Sequence, residues 1–196
     1  MNQDLYELNK KIWKCRRCSR LFSPSQPGYF PDNLEILFIG RNPGQLYVRK
    51  SGWNDYDFID IQDFDKFQKE YYLGLKESPV GKFILRIMPK EIIWGLTNIC
   101  KCRSPNDSLL SKEEIENCRF YLQQQILISK PKSIVIMGSQ PFNWWFPKYR
   151  IKDYVNTIQY IKLSYSDEQI PMLILYHPSS RKCDPVFIRE KIQILL

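Results

Sequence analysis

The stretch Leu34-Glu35-Ile36-Leu37-Phe38-Ile39-Gly40-Arg41-Asn42-Pro43-Gly44 decides the fold class. An apolar run of strand length that stops at a glycine-bracketed turn predicts a buried strand over 34–39. The pattern recurs down the chain. A run over 92–98 ends at Asn98, one over 133–137 is closed by Gly138, and one over 170–176 runs into His177. A further strand is predicted over 158–165. Helical signals fall between these runs. Ser111-x-x-Glu114 is a capping box opening a helix over 112–129, with Ile115, Tyr121, Leu122, Ile126 and Leu127 on one face. Asp184-Pro185 opens another over 185–196. Helical spacing also marks 2–14 and 81–88, and a helix is expected from 140–141 through Trp144-Trp145. Alternation of strand and helix predicts an α/β chain, a three-layer α/β/α arrangement around a mostly parallel sheet of four to five strands. At 196 residues the expectation is a single domain over 1–196.

In such a sheet, ligands bind beyond the carboxyl ends of the strands. Asn42, Asn98 and His177 each stand at or just past the end of an apolar run, so three strands deliver polar side chains to one rim. The turn from Gly40 to Gly44 lets backbone N–H groups approach a base or phosphate closely. It lacks both the Gly-Lys-Ser/Thr of a nucleotide-triphosphate loop and the three glycines of a dinucleotide site. His177 is the only histidine, and a lone histidine at a strand end also has a structural reading. Ser179, Ser180, Arg181 and Lys182 behind it add hydroxyls and positive charge, a mixture that holds phosphates.

The net charge is +8 and the isoelectric point about 9.1, which suits a polyanionic partner. Residues 51–70 alone run to −4, leaving +12 on the remainder. The stretch 41–76 reads as long and irregular, its acidic part an edge strand or wrapped segment lying away from any DNA-binding face. No run of eighteen apolar residues occurs, and the opening Met1-Asn-Gln-Asp-Leu-Tyr6 is too polar for a signal peptide. A cytoplasmic protein without a membrane partner is expected.

In that compartment Cys15-Arg-Arg-Cys18 reads as metal-binding or redox-active rather than a structural disulfide. With Cys102 and Cys118 it makes four thiolates, enough for zinc or a [4Fe–4S] cluster. The second pair is spread as Cys-x15-Cys rather than as a short knuckle, which favours the cluster over zinc. Cys100 is out of phase with Cys102 and reads as core, and Cys183 as a free thiol.

Taken together, Cys15-x-x-Cys18, the Gly40–Gly44 turn, Thr97-Asn98-Ile-Cys-Lys101-Cys102-Arg103-Ser-Pro-Asn106, Cys118, the run closed by Gly138 and His177-Pro-Ser179 resemble the uracil-DNA glycosylase superfamily. The closest resemblance is to its iron–sulfur branch, family 4. It implies an enzyme, acting as a monomer on DNA containing a damaged or deaminated base, that flips the base out and hydrolyses its N-glycosidic bond. It further implies a structural cluster, Asn42 positioning the attacking water, Asn98 reading the polar edge of the base, and His177 stabilising charge on its O2. Gly40 and Arg41 would lie against the base, Tyr72 would stack on it, and Arg181 or Lys182 would enter the gap left in the duplex. Arg41 stands where that branch has an acid and Asn42 where it has a small residue. An asparagine there resembles the mismatch-specific and single-strand-selective branches, so hydroxymethyluracil, hypoxanthine and mispaired thymine join uracil as candidate lesions. Two other readings remain at this stage, a catalytically inactive iron–sulfur DNA-binding relative and a zinc-stabilised protein–protein module.

Overall fold

The structure, a computed structural model, describes residues 2–21, 25–44, 63–163, 167, 169–180 and 182–196. Five strands form one sheet in the order β2-β1-β3-β5-β4. They are β1 (Ile36–Gly40), β2 (Trp94–Asn98), β3 (Ser133–Met137), β4 (Ile158–Lys162) and β5 (Gln169–Leu175). The first three and β5 run parallel, and β4 closes one edge antiparallel to β5. Every residue of β1, β2 and β3 is buried, as expected of parallel strands covered on both faces.

Alternation along the strands assigns the two faces. Ile36, Phe38, Val135, Met137, Leu173 and Leu175 pack with α2 (Phe64–Glu77), α3 (Pro79–Ile87) and α6 (Pro185–Leu195). Leu37, Ile39, Ile134, Ile136, Met172 and Ile174 pack with α4 (Lys112–Ser129) and α5 (Ser139–Trp145). The first helix, α1 (Gln3–Trp13), reaches both layers, Leu5 entering one cluster and Trp13 the other. Each fully buried side chain of this size contributes about 1.5–3 kcal/mol.

The helix ends follow from local chemistry. Ser111 Oγ accepts from Glu114 N while Ser111 N donates to the Glu114 carboxylate, completing the box that opens α4. Asp184 caps α6 through Val186 N, with Pro185 at the first helical position. Among the described residues no helix is long and apolar enough to cross a membrane.

The expectation for 41–76 needs correction. Its last part is the helix α2, capped by Asp63, whose side chain accepts from Asp65 N and Lys66 N. Phe64, Phe67, Tyr71 and Leu75 recur at helical spacing and are all buried. The acids distracted from that stripe; Asp65 lies on the outward face. Residues 53–62 of the acidic stretch lie outside the described residues.

Candidate active site

Parallel pairing in register brings the strand ends to one edge. Gly40 pairs with Asn98 across β1 and β2, and Met137 with Leu175 across β3 and β5. Beyond that edge opens a cavity of about 710 Å³, lined by Gly40, Arg41, Asn42, Asn98 and His177 among others. The three side chains delivered by three strand ends therefore face one space of a size ordinary for small-ligand sites.

Asn98 forms its inner wall. It is 4% exposed, and its Nδ2 is buried with no hydrogen-bond partner among the described residues. A buried amide donor left unpaired costs about 1–3 kcal/mol, so its presence at a cavity wall points to a ligand acceptor. Below it Lys101 is fully buried, and its Nζ donates to Asn98 O at 2.6 Å, Thr97 Oγ1 at 2.7 Å and Gln125 Oε1 at 2.7 Å. Gln125 Nε2 in turn donates to Asn9 Oδ1 at 2.7 Å and Pro27 O at 2.9 Å. This satisfied network ties the end of β2 to α1 and α4. Burial pulls the Lys101 ammonium down to about 7, while the thiols of Cys118, Cys100 and Cys102 act in the opposite direction.

Asn42 is held at both ends of its carboxamide. Arg41 Nε donates to its Oδ1 at 2.7 Å, and its Nδ2 donates to Ser104 Oγ at 3.2 Å. His177 stands at the solvent-facing rim. Ser179 N donates to its Nδ1 at 3.2 Å, with Ser179 Oγ 2.8 Å from the same nitrogen. An Nδ1 that accepts a backbone N–H leaves the ring proton on Nε2. The protein around the ring, and next the Arg41 guanidinium, hold its pKa below the ordinary value, with Asp107 opposing. Behind it Gly138 has φ of +102°, and a Cβ there would stand 3.6 Å from His177 Cβ.

Ser179 lines the cavity; Ser180 and Lys182 are not in its lining, Lys182 Nζ standing 5.4 Å from the Tyr176 ring centroid, and Arg181 lies outside the described residues. Tyr72 is not in the lining. Its ring stacks on Tyr29 at 4.3 Å, with Lys76 Nζ 4.2 Å from its centroid, because α2 turns it toward the loop beside β2. Tyr72 thus stands apart from this cavity, packed on Tyr29. Residues that sequence analysis did not single out also shape the site. Ser104 and Asp107 follow β2, Gln140 stands in the first turn of α5, and Gln125 braces Lys101. Only the position of Ser104 two residues beyond Cys102 offered any signal.

The four cysteines gather on the α4 side of the sheet. Cys102 and Cys118 are buried and Cys15 and Cys18 half-buried. Cys102 feels the charges of Cys118, Cys15 and Cys18. Ser25 Oγ stands 3.0 Å from Cys102 Sγ, and Asn117 Nδ2 donates to Cys18 Sγ at 3.6 Å. Cys100, buried beside them, accepts from Cys118 Sγ at 3.9 Å and donates to Cys102 O at 3.8 Å. The neighbouring Cys100, then Lys101 N–H and the charges of Lys101 and Arg17, pull the Cys118 thiol down against the opposing effect of burial. Among the described residues no three ligand side chains close to the spacing of a bound metal ion. The donor set is nonetheless that of a thiolate-held centre, with four sulfurs, hydrogen-bond donors around them and cations nearby.

A family model described as the uracil DNA glycosylase superfamily matches residues 27–191. The chain is 24% identical over 186 residues to the type-4 uracil-DNA glycosylase of Archaeoglobus fulgidus, covering 91% of this chain and 83% of that one. It is 26% identical over 200 residues to the enzyme of the same name from Sulfurisphaera tokodaii, covering 92% and 77%. A type-4 uracil-DNA glycosylase of Pyrobaculum aerophilum is 49% identical over 137 residues, covering 69% and 61%.

Proposed function

The chain belongs to the uracil-DNA glycosylase superfamily, and from that premise we propose that it is a base-excision repair enzyme. It flips a damaged pyrimidine, uracil foremost, out of DNA and hydrolyses its N-glycosidic bond. The unpaired, buried Asn98 Nδ2 at the wall of the cavity shared with Asn42 and His177 carries this reading. Uracil presents a carbonyl acceptor beside an N–H donor, and one carboxamide answers both. Cytosine presents the reverse pattern and leaves like groups opposed.

The step needs no strong base. The bonding pair of the N-glycosidic bond leaves with the base, which becomes anionic while the sugar becomes cationic. Water adds to the sugar carbon and gives up a proton, which the departed base anion takes up by way of solvent. Asn42 Oδ1 orients that water through a lone pair not used by Arg41. His177 Nε2–H donates to the developing charge on O2, and as a neutral donor it needs no titration during the step. One such donor is worth about 2.7–4 kcal/mol in a preorganised site. Ser179, Ser180, Arg181 and Lys182 hold the flanking phosphates.

Cys15, Cys18, Cys102 and Cys118 would hold a [4Fe–4S] cluster in preference to zinc, supported by their convergence and by the long Cys102–Cys118 spacing. Held there, Cys15 and Cys18 after α1, Cys102 after β2 and Cys118 in α4 would be tied together, which would make the group a structural brace. The described strands form one sheet covered on both faces by the described helices, which supports reading 1–196 as a single domain. The relatives' names do not favour a silent DNA binder.

The test is release of base from oligonucleotides carrying uracil, hydroxymethyluracil, hypoxanthine or mispaired thymine, read as alkali-labile strands. Release from uracil is expected. DNA binding with no release from any of the four overturns the proposal.

A further inference from the structure

We infer that Arg41 is a positioning residue: its guanidinium fixes which end of the Asn42 carboxamide faces the cavity and sets the charge that His177 meets there. Arg41 Nε donates to Asn42 Oδ1 at 2.7 Å, and Arg41 Nη2 donates to Asp107 O at 3.1 Å. Its backbone is pinned as well, since Arg41 O accepts from Cys100 N at 3.0 Å. The guanidinium thus bridges the segments that follow β1 and β2.

A carboxamide can turn by half a rotation and exchange its oxygen and nitrogen. The contact of Asn42 Nδ2 with Ser104 Oγ does not prevent this, because a hydroxyl both donates and accepts. Arginine only donates. The atom opposite Arg41 Nε must therefore be the oxygen, and the rotated carboxamide would set donor against donor. Arg41 breaks the tie with the shorter bond, and Pro43 O, which only accepts and stands 3.4 Å from Asn42 Nδ2, favours the same orientation. A lysine would keep the charge but not the planar fork that matches the amide.

The same side chain acts on His177 electrostatically. The groups bearing on that imidazole are Arg41 from the end of β1, Asp107 from the turn after β2, and Ser179 on its own segment. Arg41 is permanently charged, so it disfavours the imidazolium at every working pH.

The kinetic arm of the test rests on the glycosylase reading, and the spectroscopic arm does not. Wild type, R41M and R41K are compared on single-stranded uracil DNA. In parallel, the imidazole proton resonances of the chain's only histidine are followed against pH by NMR. In R41M, kcat is expected to fall about tenfold to a hundredfold with KM little changed. The histidine midpoint is expected to move to higher pH. R41K is expected to keep the wild-type midpoint, since the charge remains, and still to lose kcat, since the fork is gone. Wild-type kcat in R41M, a loss confined to KM, or an unmoved midpoint each overturns the inference. If wild type releases no base, the midpoint alone decides: a shift in R41M sustains Arg41 in its place while the glycosylase reading falls.

Discussion

Gly40 and Asn98 face each other across the β1–β2 register, and a Cβ at position 40 would stand 2.6 Å from Asn98 Oδ1. The glycine is there for the neighbouring carboxamide rather than for backbone freedom. Gly40→Ala must push Asn98 aside while leaving the strand pairing intact. A displacement of about 1 Å at a positioning group costs about a hundredfold in rate. The variant is expected to fold and bind DNA while kcat on uracil falls by that factor. Wild-type kcat would remove Asn98 from the site.

His177→Ala is expected to lower kcat about a hundred- to a thousandfold, the cost of one preorganised donor, with DNA affinity retained. Titration gives a second check. The folded His177 binds its proton at lower pH than the unfolded chain. Just below about pH 6.5 the unfolded state takes up a proton that the folded state refuses. Stability present above that value is therefore lost as pH falls toward the folded pKa. Denaturant midpoints across this window should fall in wild type and flatten in His177→Ala.

Replacement of Cys15, Cys18, Cys102 or Cys118 by serine is expected to abolish bound iron, labile sulfide and the visible absorbance of a cluster. Cys100→Ser should keep all three, because Cys100 Sγ donates to Cys102 O and lies outside the proposed ligand set. Iron loss from Cys100→Ser with retention in one of the other four would redraw the ligand set.

Arg20 Nε and Nη2 donate to the two oxygens of Glu114, which also caps α4. Hydrogen bonding from Arg20 holds the Glu114 carboxyl below its usual range. Its contribution is present above about pH 4.5 and lost as pH falls through the folded value. Glu114→Gln is expected to cost about 1–2 kcal/mol near neutrality, discounted because Arg20 is part-exposed. The gap from wild type should narrow in acid; a constant gap in chemical denaturation would show that the charge contributes nothing.

The strand runs, the glycine that ends β1, the capping box of α4 and the cysteine spacing are local patterns, so the α/β fold and the residues at the strand ends were legible in the sequence. The stripe of α2 was legible too, but dense acids around Phe64, Phe67 and Tyr71 obscured it. Other relationships depend on contacts between residues far apart in the chain. No pattern around Tyr72 foretold that its ring would meet Tyr29, nor around Asn42 that Arg41 and Ser104 would hold its two ends. Periodicity specifies which face of an element is buried. Which polar atom meets which is settled only when separate strand ends are packed side by side, because a hydrogen bond depends on tenths of an ångström and on direction.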